Sequence, residues 1–121
     1  MSNFRVDFYR KPDGTKPVCE FFKSLDLKMK AKVIANLHIL EEYGNLAREP
    51  LSKELDDGIF ELRTIEGNNI VRTMYFFDKG KIIIVTNGFV KKQKKTPKSE
   101  IELAKQCRLD YHRRKEAGTY E

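Results

Sequence analysis

The order of apolar and polar positions divides the chain into four strand-like and three helix-like stretches. FRVDFYR (4–10) sets Phe4, Val6 and Phe8 against Arg5, Asp7 and Tyr9, a period of two that marks a half-buried strand. KPDG (11–14) breaks it. Pro17 suits a first helical position, and Val18, Phe21, Phe22 and Leu25 give a short apolar stripe. Asp26 is placed to cap a second helix and Gly44 to stop it, with Leu27, Ala31, Ile34 and Leu37 expected to face the core. His38 lies beside that face and reads as a packed or partly exposed histidine. Residues 45–57 read as a polar connection ending in the turn sequence DDG (56–58). IFELRTI (59–65), NIVRTMYFF (69–77) and KIIIVTN (81–87) then follow across the tight turns EGNN and DKG, so they should be antiparallel neighbours. Thr96 is expected to cap the last helix, with Pro97 at its first position and Ile101, Ala104, Cys107 and Tyr111 facing inward. Strand, two helices, three strands and a helix make an α+β sandwich.

Alternation also decides where charges point. Burying Phe60 and Leu62 is worth about 1.5–3 kcal/mol each and pushes Glu61 and Arg63 onto the opposite face. On the next strand Arg72 shares a face with Ile70, Met74 and Phe76, an isolated cation among apolar neighbours. Two readings fit. Glu61 forms a salt bridge with Arg72 or Arg63, or both arginines face an open groove that takes phosphate oxygens, to which guanidinium offers a planar fork of donors.

Composition bears on class. A chain of 121 residues fits one domain, residues 1–121, and its apolar content exceeds that of a disordered chain. No basic-then-apolar leader and no span-length apolar run is present, so a soluble cytoplasmic protein without membrane contact is expected. Cys19 and Cys107 lack metal-ligand spacing and read as free thiols on helix apolar faces. The net charge of +6 is localised: residues 1–80 carry 13 Lys/Arg and 13 Asp/Glu, whereas residues 81–121 carry 11 and 5. The excess gathers around KKQKK (91–95), where Lys91, Lys92, Lys94 and Lys95 leave the end of the third adjacent strand near the arginine-bearing ones. Such a cluster attracts polyanions, an acidic protein surface included, although a solvated loop is the bland alternative.

GIFELR (58–63), the arginine in NIVRTMYFF (69–77) and above all GFVKKQKKTPKSEIELA (88–104) resemble HigB-type toxins of the RelE/ParE superfamily of bacterial and phage-derived toxin–antitoxin systems. The resemblance runs from about Phe4 to Tyr111. It implies a RelE-like, microbial-RNase-type α+β fold of order β-α-α-β-β-β-α with a mostly antiparallel sheet. It implies metal-independent endoribonuclease activity on mRNA at the ribosome, with no cofactor, the ribose 2′-hydroxyl attacking the phosphate. It also implies a cognate HigA-like helix-turn-helix antitoxin and, through that complex, operator DNA. Arg63 and Arg72 match the family's strand arginines and would neutralise the pentacoordinate phosphate. Lys91, Lys92 and Lys95 match its lysine pattern, Lys94 joins them in binding RNA, and Lys92 or Lys95 would donate a proton. Glu61 is the candidate base. Phe89 would stack a base or cap the core. Several superfamily members carry lysine at the strand position of Glu61, and many place histidine or tyrosine near the end of the sheet, which residues 86–97 lack; His112 and Tyr111 fall outside the site.

Three rival readings remain. A metal-dependent nuclease built on Asp56, Asp57 and Glu61 has loose carboxylate spacing. A ParE-like inhibitor of DNA gyrase needs no general base. A plain basic nucleic-acid-binding module needs neither arginine for chemistry.

Overall fold

The computed structural model describes residues 4–92 and 94–121. The elements are β1 (Arg5–Phe8), α1 (Pro17–Lys23), α2 (Leu27–Tyr43), a 3-10 turn (Gly44–Leu46), β2 (Ser52–Asp56), β3 (Ile59–Glu66), β4 (Asn69–Asp78), β5 (Ile82–Val90) and α3 (Lys98–Ala117). They form one five-stranded sheet of order β1-β5-β4-β3-β2, with β1 parallel to β5 and the other pairs antiparallel. The element order is that of the expected α+β fold with one strand added, and it is compatible with a RelE-like fold.

The added strand is β2, within the stretch read as a polar connection. SKELD offers no apolar period because it is an edge strand, where charged side chains protect against further pairing. Asp57 and Gly58, at φ 49° and 77°, close a two-residue hairpin between β2 and β3. A turn of that type needs a strand on both sides.

Two cores result. Val18 and Phe22 of α1 and Met29, Val33, Leu37 and Leu40 of α2 pack with Leu62, Val71, Tyr75, Ile83 and Val85 on one face. Ala104, Cys107 and Tyr111 of α3 pack with Ile59, Met74, Phe76 and Ile84 on the other. The expected phase of α2 is corrected: Leu27 is 81% and Ile34 47% exposed, and only Leu37 of the expected stripe is buried. α2 carries two stripes at helical spacing, and four large side chains bury more apolar area than a stripe that includes Ala31. Its ends follow expectation. The Asp26 carboxylate accepts from Met29 N at 2.8 Å, and Gly44 stops the helix at φ 54°, where an added Cβ would run into the Phe4 ring.

β5 runs three residues beyond the expected Asn87, through Gly88, Phe89 and Val90. A bulge opposite Met74/Tyr75 skips Thr86 and puts both Thr86 and Asn87 toward α3, where Asn87 Nδ2 donates to Glu100. Gly88 leaves room for Phe21, whose ring would lie 2.9 Å from an added Cβ. Both cysteines are free; burial pushes the Cys107 thiol up to about 11, as befits a packed thiol.

Candidate functional site

Glu61 and Arg63 alternate with Phe60 and Leu62 on β3, so both point to the α3 side of the sheet. Arg72 is the direct cross-strand partner of Arg63. Like charges placed opposite each other destabilise a sheet. The conflict is resolved by one anion. Glu61 is fully buried, and its Oε2 accepts from Arg72 Nη1 at 2.6 Å and from Arg63 Nε at 2.9 Å. Both bridges considered from the sequence are therefore made together.

The other carboxylate oxygen holds the lysine loop. Thr96 Oγ1 donates to Glu61 Oε1 at 2.5 Å and accepts from Arg72 Nη1 at 2.9 Å, while Arg72 Nη2 donates to Lys94 O at 3.3 Å. This corrects the expected cap. α3 starts at Lys98 with Pro97 as its N-cap and no side-chain capping bond, because the Thr96 hydroxyl is drawn to a buried carboxylate instead. The loop thus reaches α3 by way of the arginine site.

Around this network opens a hollow of about 290 Å³ whose wall includes Lys53, Glu61, Arg63, Arg72, Lys94 and Lys95. Among the described residues that line it, five cations stand with one carboxylate that already accepts three hydrogen bonds, an excess of positive charge that favours an anion. Arg72 is only 5% exposed and offers a ligand little more than one edge of its guanidinium. Arg63 is more open, and its Nη1 lies 3.4 Å from the exposed Glu49 carboxylate, a pair of little strength in water.

Burial alone would raise the Glu61 carboxyl, but hydrogen bonds from Thr96, Arg72 and Arg63 outweigh it and hold it below the ordinary carboxylate range. Glu61 is therefore held ionised at neutral pH, and three of its roughly four acceptor positions are taken by Thr96, Arg72 and Arg63, which makes it a weak proton acceptor. The same network sets a pH dependence. A depressed folded value means the stabilisation is complete above the unfolded value of about 4.3 and is lost as pH falls through the folded one. Stability measured by urea unfolding should decline as pH drops below about 4, and the decline should shrink in Glu61→Gln. An equal decline in both proteins would show that Glu61 is not the group responsible.

The remaining expected residues divide. Lys94 and Lys95 line the hollow; Lys91 and Lys92 do not, Lys92 being exposed and Lys91 tied by its backbone N–H to Ile70 O at 2.7 Å. Phe89 is half-buried and packs against the α3-side core. The sequence pattern does not single out Lys53, Glu49 or Thr96 as site residues. Lys53 is the register partner of Glu61, a signal readable once the DDG turn is taken to demand a strand before it. His112 packs on Phe76, and Tyr111 donates to Asp78 at the far end of β4 from Arg72. Asp56 and Asp57 pair with Lys105 and Arg108 of α3, and among the described residues no group of three His, Cys, Asp or Glu could hold a metal ion. No described helix is long and apolar enough to cross a membrane.

Residues 20–108, from α1 into α3 and including the whole hollow, match the family model described as Phage derived protein Gp49-like (DUF891). The chain belongs to this Gp49-like family. The family is associated with the toxins of toxin–antitoxin systems, which suggests an antitoxin as partner. A comparison with curated proteins finds no match. The matched segment of this Gp49-like chain contains Glu61, Arg63, Arg72, Thr96 and both lysines of the hollow, but not β1.

Proposed function

We propose that this Gp49-like protein is the toxin of a HigB-type toxin–antitoxin pair and cleaves mRNA on the ribosome. The observation that carries the reading is the sharing of Glu61 by the arginines of two adjacent strands at the wall of a hollow that also holds three lysines. The substrate phosphate enters beside Arg63, displacing Glu49. The ribose 2′-oxygen bonds to phosphorus, the bond to O5′ breaks, and a 2′,3′-cyclic phosphate and a 5′-hydroxyl result. Arg63 stabilises the extra negative charge of the pentacoordinate phosphate, as preorganised donors do. Glu61 and Arg72 position Arg63 and the loop. The ammonium of Lys94 or Lys95 protonates O5′, and the 2′-hydroxyl proton passes to water. The partners are a HigA-like helix-turn-helix antitoxin, operator DNA through that complex, and the ribosome with its mRNA, all in the cytoplasm.

A second reading, a ParE-like inhibitor of DNA gyrase, is favoured by one observation: Glu61, the only carboxylate among the described residues that line the hollow, accepts three hydrogen bonds that hold it below the ordinary carboxylate range and make it a weak base. One experiment separates the two. After induction of the protein, mRNA 5′ ends are mapped by primer extension while plasmid supercoiling is followed in the same cells. New 5′ ends within translated frames at unchanged supercoiling support the nuclease. Altered supercoiling with intact mRNA overturns it in favour of the gyrase inhibitor.

A further inference from the structure

A second groove, of about 640 Å³, lies across β2 from the hollow, on the α2 side of the sheet. Its floor is Phe60, half-buried and stacked on Tyr75 with ring centroids 5.4 Å apart and planes 18° from parallel. Its walls carry Asn45, Arg48 and Glu49. Groove and hollow meet at two places. Lys53 lines both, and Glu49 of the groove pairs with Arg63 of the hollow. Because β2 is the sheet's edge, a strand of RNA can pass from one to the other over a single β-strand.

The Arg48 guanidinium is held ready. Its Nη1 donates to the carbonyl oxygens of Asn45 and Ala47 at 2.8 and 3.0 Å, and its Nε and Nη2 make no hydrogen bond among the described residues. A side chain fixed by two backbone acceptors gives up little entropy when it binds a ligand with the rest of its fork. An aromatic floor, a fixed guanidinium and an exposed asparagine amide suit a nucleobase. The ring stacks, arginine pairs with the O6 and N7 of guanine, and asparagine with the N6 and N7 of adenine.

We propose that this groove is a nucleobase subsite for the nucleotide adjoining the scissile phosphate, and that it selects purines. The proposal rests on the nuclease reading above. The strand crosses β2 at Lys53, whose ammonium meets the intervening phosphate, and the crossing displaces Glu49 from Arg63.

Fluorescence anisotropy with 2′-O-methyl RNA tetranucleotides, which resist cleavage, tests it. Oligomers with purines at the flanking positions should bind about tenfold more tightly than all-pyrimidine ones. Arg48→Ala should bring the purine oligomers down to the pyrimidine level, and Arg48→Lys should not restore the preference, because an ammonium lacks the planar fork. Thermal melting of each variant checks folding. Equal affinity for purine and pyrimidine oligomers, with Arg63→Ala still weakening both, overturns the subsite alone. A purine preference that survives in Arg48→Ala also overturns it. Failure of every oligomer to bind overturns the hollow and the groove together.

Discussion

Glu61→Ala should lower the free energy of unfolding by about 3–5 kcal/mol, the cost of removing one partner from a buried ionic cluster. Against a typical total of about 5–15 kcal/mol this removes much of the protein's stability. The cause is specific. Arg63 and Arg72 oppose each other across β3 and β4, Arg72 is nearly inaccessible to water, and among the described residues no second carboxylate lines the hollow to take over. The same substitution releases Thr96 and with it the loop leading to α3. Glu61→Gln keeps an acceptor but loses the charge, so its cost should be smaller, about 1.5–3 kcal/mol. Urea unfolding of the three proteins measures the series. Costs below about 0.5 kcal/mol, the range of ordinary surface positions, would show that the network contributes nothing to folding.

Arg63→Ala should behave in the opposite way, leaving the fold nearly intact while activity falls by about 10²–10³-fold, the loss expected when one preorganised oxyanion donor is removed. Arg63 keeps partial contact with water and its second partner, Glu49, is exposed, so its removal leaves only Glu61 to readjust toward Arg72. Arg63→Lys should recover little of the activity, because an ammonium cannot hold Glu61 with one nitrogen and a phosphate with the others in the same plane. Growth arrest on induction, together with the yield of new mRNA 5′ ends, reads the effect. A folded Arg63→Ala protein that still arrests growth as the parent does would remove Arg63 from the mechanism.

Much of this site is legible in the sequence because strand alternation is a strict rule. Once Phe60 and Leu62 are inward on the helical side, Glu61 and Arg63 have one face left, and Arg72 joins them by the same logic. Three features lie beyond alternation. β2 has no apolar period, being an edge strand, so no alternation signals that Lys53 stands opposite Glu61. The phase of α2 is ambiguous in the sequence because two rows satisfy helical spacing and only the sheet decides between them. Local pattern makes Thr96 a cap before a proline. Its hydroxyl answers instead to a carboxylate 35 positions earlier in the chain, which no local pattern reveals. Glu61 shows the same limit in its chemistry. A carboxylate beside two arginines reads as a base, and the sequence does not show that three donated hydrogen bonds in a buried site hold it below the ordinary carboxylate range.

RNA phosphate is expected to bind among Arg63, Lys53, Lys94 and Lys95. The arginine and lysine side-chain nitrogen resonances of ¹⁵N-labelled protein, followed by NMR during titration with a 2′-O-methyl RNA oligomer, test it most directly. Saturable shifts at Arg63 and at the three lysines, with Arg10 and Arg114 unmoved, are the predicted result. Shifts confined to Arg10, Arg113 and Arg114 at the far end of α3, with Arg63 silent, would contradict it.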